Sequence, residues 1–146
     1  MEANVKWNSK LSFTGTVRGH ETSMDTTLAN GSLNRGPNPK EMLLNSISGC
    51  AGMDIASILE KNKENLLTLD IKANASLTKT TPSYFSEINM IFNLSGTMDK
   101  DAVIKACELS MTKYCGVSYM LSKVCPINYQ VLLNNENIFE GVSKFE

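Results

Sequence analysis

The chain has 146 residues, enough for one domain with a substantial core and short for two. Hydrophobic residues make up 42%, charged residues 20%, and the net charge is -1. That balance is ordinary for a globular protein and lacks the basic excess that nucleic-acid or anionic-membrane binding leaves. The N-terminus, MEANVKWNSK, has no apolar run behind a basic region, and no uninterrupted apolar stretch approaches the roughly 20 residues of a membrane span. The reading is a cytoplasmic protein with neither nucleic acid nor membrane as partner. Cysteines at 50, 107, 115 and 125 form no CxxC pairs and His20 is the only histidine, so the spacing offers no structural zinc site and no cofactor is implied. In a reducing compartment such cysteines pack as small buried hydrophobes unless their neighbours make one reactive.

Along the chain, Val5, Trp7, Leu11, Phe13 and Val17 alternate loosely with polar residues, and SMDTTLANG follows. These read as two or three antiparallel strands with turns at TG and ANG. The Asn-, Gly- and Pro-rich NGSLNRGPNPKE is a loop leading into a helix. Asn38 is a good cap, Pro39 suits a first turn and Glu41 complements the dipole, so the helix starts at 38 to 40. Apolar positions 43, 44, 47, 51, 55, 58 and 59 keep helical spacing until EKNKEN ends the run, giving a length of roughly 35 Å. Two alternating strands come next, LLTLDIKANASL and SYFSEINMIFNLSGT, joined by a hairpin at TKTTPS, with Tyr84, Ile88, Met90, Phe92 and Leu94 near one face. DKDAVIKACELSMTKY is a second helix with Val103, Ala106, Cys107, Leu109 and Ser110 inward, CGVSYMLSK a shorter one, and INYQVLLNN a closing strand. The order predicts a single α+β domain over 1–146, with helices on one face of a largely antiparallel sheet.

The long helix carries an oddity. In NSISGCAGMD, Gly49 and Gly52 flank Cys50, and each glycine in a helix interior costs about 0.5–1 kcal/mol relative to alanine. Ser46, Ser48, Ala56 and Ser57 are small as well, so other backbone can approach the helix on more than one side. That marks a central helix.

GPNPKEMLLNSISGCAGMDIASILEK, followed far downstream by TKYCGVSYMLSK, resembles the OsmC/Ohr family of thiol-dependent hydroperoxide reductases, in particular its OsmC-like branch, over nearly the whole chain. The resemblance implies antiparallel sheets with a long central helix in an intertwined homodimer, with two active sites at the interface; a monomer with a loosely packed helix is the alternative. It further implies a peroxidase that reduces organic hydroperoxides to alcohols, an antioxidant or stress-response protein without metal or cofactor. Carried over, Cys50 is the peroxidatic cysteine and Cys115 the resolving one. Thiolate is the nucleophile, the sulfenic acid condenses with the second thiol, and an external dithiol resets the disulfide.

Cys50 lies too far into its helix for the macrodipole to stabilise a thiolate, so a side-chain cation is needed. The family uses an arginine from the N-terminal strands, held by a glutamate at the helix start. Arg18, in GTVRGH, matches that arginine better than Arg35, in NRGPNP; both remain open. The family's acid stands ten positions before the reactive cysteine, where this chain has Lys40, and Glu41 comes one later. One residue rotates a helical side chain by about 100°, so Glu41 either holds the arginine or serves the helix terminus. YCGVS replaces the commoner YCPVS, with Gly116 loosening the start of the last helix. Cys107 and Cys125 read as core, and His20 as a turn residue or part of the pocket mouth. Met42, Met53, Met111 and Met120 read as core filler or as a soft lining for an apolar peroxide. The departures at Lys40 and Gly116 keep open an alternative function, a binding or redox-sensing protein on the same scaffold with little peroxidase activity.

Overall fold

The computed structural model describes residues 1–145. It has two compact units, Met1–Leu43 and a second beginning at Leu44. The boundary falls inside the long helix.

The first unit is a three-stranded antiparallel sheet of β1 (Asn4–Ser9), β2 (Ser12–Val17) and β3 (His20–Met24), in that order, followed by a 3-10 turn at Leu28–Asn30. The three strands and the turn at ANG are as read from the sequence, but TG is not a turn. Thr14 and Gly15 sit within β2, opposite Lys6 and Val5 on one side and Ser23 and Thr22 on the other. The chain reverses instead at Lys10 (φ 50°) and at Arg18–Gly19, where φ is 51° and 81°. Two successive left-handed residues are what a two-residue hairpin requires to match strand twist. Beyond β3, the buried Asp25 carboxylate organises the loop: Oδ1 accepts from the Ser32 hydroxyl and the Thr26 N–H, and Oδ2 accepts from the Arg35 N–H at 3.0 Å.

Helix α1 spans Pro39–Lys61. Its start is a reciprocal capping box: Asn38 Oδ1 accepts from the Lys40 and Glu41 N–H groups, both at 3.0 Å, and Glu41 Oε2 accepts from the Asn38 N–H at 2.8 Å. Among the described residues α1 is the one helix long and apolar enough, by length and composition, to cross a membrane. Within the second unit it instead lays Ile47, Ala51, Ile55 and Leu59, a strict i, i+4 ladder, into the core.

The second unit is completed by β4 (Asn65–Leu77), β5 (Phe85–Thr97), α2 (Lys100–Leu109), α3 (Gly116–Ser122), β6 (Ile127–Leu133) and β7 (Glu136–Val142). The sheet order is β4-β5-β6-β7. The β4–β5 and β6–β7 pairs are antiparallel, but β5 and β6 are parallel because the connection between them runs through both short helices. Strand β7 follows what the sequence reading takes as the last strand. Parallel pairing sets Ile88, Met90, Phe92 and Leu94 beside Ile127, Tyr129, Val131 and Leu133, and all eight are buried. At about 1.5–3 kcal/mol per fully buried large apolar side chain, this double row and the α1 ladder supply most of the unit's cohesion. Phe85 takes the inward place and Tyr84 is exposed, next to an irregularity in the β4–β5 register at Ser76/Leu77. Gly52 is explained by this packing, since a Cβ there would lie 2.9 Å from Ile71 Cδ1 on β4. Gly49 is not, for nothing lies within 4 Å of the same position.

Candidate active site

On α1, Cys50 and Asp54 are four residues apart and share one helix face. Cys115 is brought to them by an irregular end of α2. The Cys115 N–H donates to the Ser110 carbonyl at 2.9 Å, closing an i to i+5 turn, so Ser110–Tyr114 is π-helical rather than a continuation of α2. Such one-residue expansions of a helix are frequent at functional sites. Cys115 then leaves the helical region (φ -69°, ψ 101°) and becomes the N-cap of α3, its sulfur accepting the Ser118 N–H at 3.3 Å. A sulfur here stands where a serine or aspartate oxygen is usual. Ser118 is itself buried, its hydroxyl donating to Met111 Sδ at 3.6 Å.

The outcome is a compact cluster: Cys50 Sγ, Cys115 Sγ and a carboxylate oxygen of Asp54 all lie within 4.8 Å of one another. Both cysteines are free thiols, Cys50 half-buried and Cys115 fully buried. The buried Ser110 hydroxyl binds the π turn to α1, lying 3.3 Å from Asp54 Oδ2 and 3.4 Å from the Ala51 carbonyl. Burial pushes the Cys115 thiol from 9.0 up to about 11; hydrogen bonds from Ser118 oppose this and the contact with Cys50 reinforces it. Cys115 is therefore held in its protonated form at neutral pH, with the Cys50 sulfur within 4.8 Å. A cleft of about 600 Å³ adjoins the cluster on the Asp54 side, lined also by Ile58, Lys61, Lys105 and Tyr114.

Arg18 is an exposed residue of the β2–β3 turn and His20 opens β3, also exposed; both belong to the first unit, as does the exposed Arg35. Glu41 is in the first unit too, its carboxylate engaged at the helix terminus. Cys107 is core, pushed up to about 12 by burial, and Cys125 is core with its thiol likewise raised. Met111 is buried, whereas Met53 and Met120 are exposed. Asp54, Ser110 and Ser118 are absent from the sequence-based site. Asp54 carried a legible signal, the i+4 position from Cys50; the two serines did not, since they reach the cluster only through the π turn and the cap of α3.

A family model described as OsmC-like protein matches residues 30–130. The protein YhfA of Escherichia coli K12 is 35% identical over 131 residues, covering 88% of this chain and 95% of its own. Among solved structures, a hypothetical protein from Aquifex aeolicus VF5 superposes with a TM-score of 0.78 at 25% identity, over 91% of this chain and 96% of that one. An organic hydroperoxide resistance protein OsmC from Legionella pneumophila superposes with a TM-score of 0.69 at 13% identity, over 90% and 95%, a likeness of fold alone. The two-cysteine pattern, the α+β fold with its long helix and the matched span agree: the chain belongs to the OsmC-like family.

Proposed function

We propose that the protein is a thiol peroxidase that reduces organic hydroperoxides to alcohols through Cys50 and Cys115. The observation that carries this is the pairing of a half-buried thiol with a buried one, their sulfurs within 4.8 Å of each other. The Cys50 thiolate attacks one peroxide oxygen, the O–O bond breaks, and the alkoxide takes a proton to leave as alcohol. Cys50 is then a sulfenic acid. Cys115 attacks its sulfur, the S–O bond breaks, and the departing hydroxide takes up the Cys115 proton as water, leaving a disulfide. An external dithiol restores both thiols by exchange. The name of the Legionella relative, an organic hydroperoxide resistance protein, supports this substrate class.

For the cation that ionises Cys50 the favoured residue is Arg18. It is exposed on a two-residue turn in a left-handed conformation that costs a non-glycine residue about 1–2 kcal/mol, and such strain is commonly kept at functional positions. Arg35 is the competing assignment. Glu41 accepts the Asn38 N–H through Oε2, which leaves Oε1 as the oxygen to support the arginine. The working form is a homodimer. Support comes from α1: of its 23 residues only Ile47, Ala51, Ile55 and Leu59 are buried, Met53 is 76% exposed, and the space around Gly49 is open.

One observation favours a second reading, redox sensing or ligand binding with little turnover: the acid position of the family is Lys40 here, and the neighbouring Glu41 is engaged at the helix terminus. Titrating reduced protein with cumene hydroperoxide while counting free thiols separates the two. The peroxidase predicts rapid loss of two thiols per chain, abolished in Cys50→Ser and halted at a trappable sulfenic acid in Cys115→Ser. Loss no faster than that of a small-molecule thiol would leave the sensing reading. Arg18→Lys should slow the Cys50 reaction more than Arg35→Lys; the reverse order would reassign the cation.

A further inference from the structure

We propose that Cys50, Asp54 and Cys115 form a binding site for a thiophilic divalent ion of the zinc type. The proposal stands apart from the peroxidase reading, although it uses the same two sulfurs. Among the described residues this is the one group of three potential metal-ligating side chains with all its donor atoms mutually within 4.8 Å. A tetrahedral zinc with bonds of about 2.3 Å to sulfur and about 2.1 Å to oxygen sets sulfurs about 3.8 Å apart and a sulfur about 3.6 Å from the oxygen. From the 4.8 Å limit, the cluster reaches that geometry by closing at most about 1.0 Å between the sulfurs and about 1.2 Å between a sulfur and the oxygen.

Its construction suits a chelate. Cys50 and Asp54, at i and i+4, present two donors from one rigid helix face, as paired helical ligands do in known zinc sites. The third donor is fixed by backbone at the junction of the π turn and α3, not by a flexible loop. The Ser110 hydroxyl holds one Asp54 oxygen, the kind of supporting bond that orients a metal-bound carboxylate. Two thiolates and a carboxylate favour zinc or cadmium over magnesium or calcium, which prefer all-oxygen shells. Three protein ligands leave a fourth position for water. Cys50 and Asp54 are each only half-buried, so an ion has a route in.

The consequence is that the two sulfurs have exclusive states. When both bind the ion neither is free for alkylation or for disulfide formation.

The test uses the full-length reduced protein with cobalt(II) as optical probe and zinc as competitor. One equivalent of cobalt should produce a sulfur-to-metal charge-transfer band with the intense visible bands of a tetrahedral site, and one equivalent of zinc should abolish both. Zinc should also protect the half-buried Cys50 thiol from iodoacetamide. Asp54→Asn should weaken zinc binding at least tenfold and Ser110→Ala about tenfold, the range seen when partners of a metal ligand are removed. Cys50→Ser and Cys115→Ser should each lose the two-thiolate band intensity. Absence of a charge-transfer band in the unmodified protein overturns the proposal, and that measurement depends on no variant folding. Binding unchanged in Asp54→Asn overturns the site as drawn, reducing it to association with a thiol pair. A negative peroxide titration would leave these readouts untouched, so the two proposals fail separately.

Discussion

Gly49→Ala gives opposite signs for a monomer and for a dimer packed along α1. In the isolated chain the new Cβ meets nothing within 4 Å, so only helix propensity acts and the substitution should stabilise by about 0.5–1 kcal/mol. For a protein of this size that is a rise in Tm of roughly 2–4 °C. If the small-residue surface of α1 lies against a second chain, the same methyl enters a contact selected for close approach, where overpacking costs typically 1–3 kcal/mol. That amounts to a weakening of association of about 5- to 150-fold. Light scattering and sedimentation over a dilution series read the mass, and calorimetry reads Tm. The homodimer predicts that the unmodified protein is dimeric and that Gly49→Ala shifts the dissociation midpoint to higher concentration. Gly52→Ala is the internal comparison, because its Cβ would meet the side-chain ends of Ile71 at 2.9 Å and Leu69 at 4.0 Å within the same chain. A Gly49→Ala protein of unchanged mass with Tm raised by a few degrees would refute packing at that face.

Alkaline unfolding should report on Cys107. Its folded value near 12 lies above its unfolded 9.0, so its contribution is complete below pH 9 and is lost as pH rises toward 12, at about 1.4 kcal/mol per pH unit. Urea midpoints should fall between pH 9 and 10.5, with Tyr129, also raised to about 12, adding to the loss above pH 10; a flat profile would refute the assignment. Gly96→Ala should be severely destabilising, by at least about 3 kcal/mol, since φ is +143° and a Cβ there would overlap the Asn65 carbonyl; a stability within 1 kcal/mol of the parent would contradict the β4–β5 register. The Ser32 hydroxyl and the N–H groups around Asp25 lower its pKa, so its support is present above about pH 3.8 and is lost as pH falls below it. Asp25→Asn should therefore raise proteolysis within residues 26–37 at neutral pH, and unchanged cleavage would show that the loop does not depend on this carboxylate.

Sequence alone determined the features whose physics is local. The bounds of α1 follow from Asn38, Pro39 and Glu41 at one end and the charged EKNKEN at the other. The inward face of β5 follows from strict alternation. The pairing of Cys50 with Cys115 was available only through resemblance, because nothing in their spacing brings them together. Other features escaped because no short stretch encodes them. Strand β7 has only Ile138 and Phe139 as large partly buried residues before its exposed end at Val142, too few for a period. The RG hairpin puts a non-glycine in the left-handed region. The parallel β5–β6 pair depends on how two helices cross the sheet. The same holds for the candidate site: tertiary structure alone decided that an i to i+5 turn at Ser110 swings Cys115 onto the Cys50–Asp54 face, since that turn joins groups far apart in the chain and leaves no periodic trace.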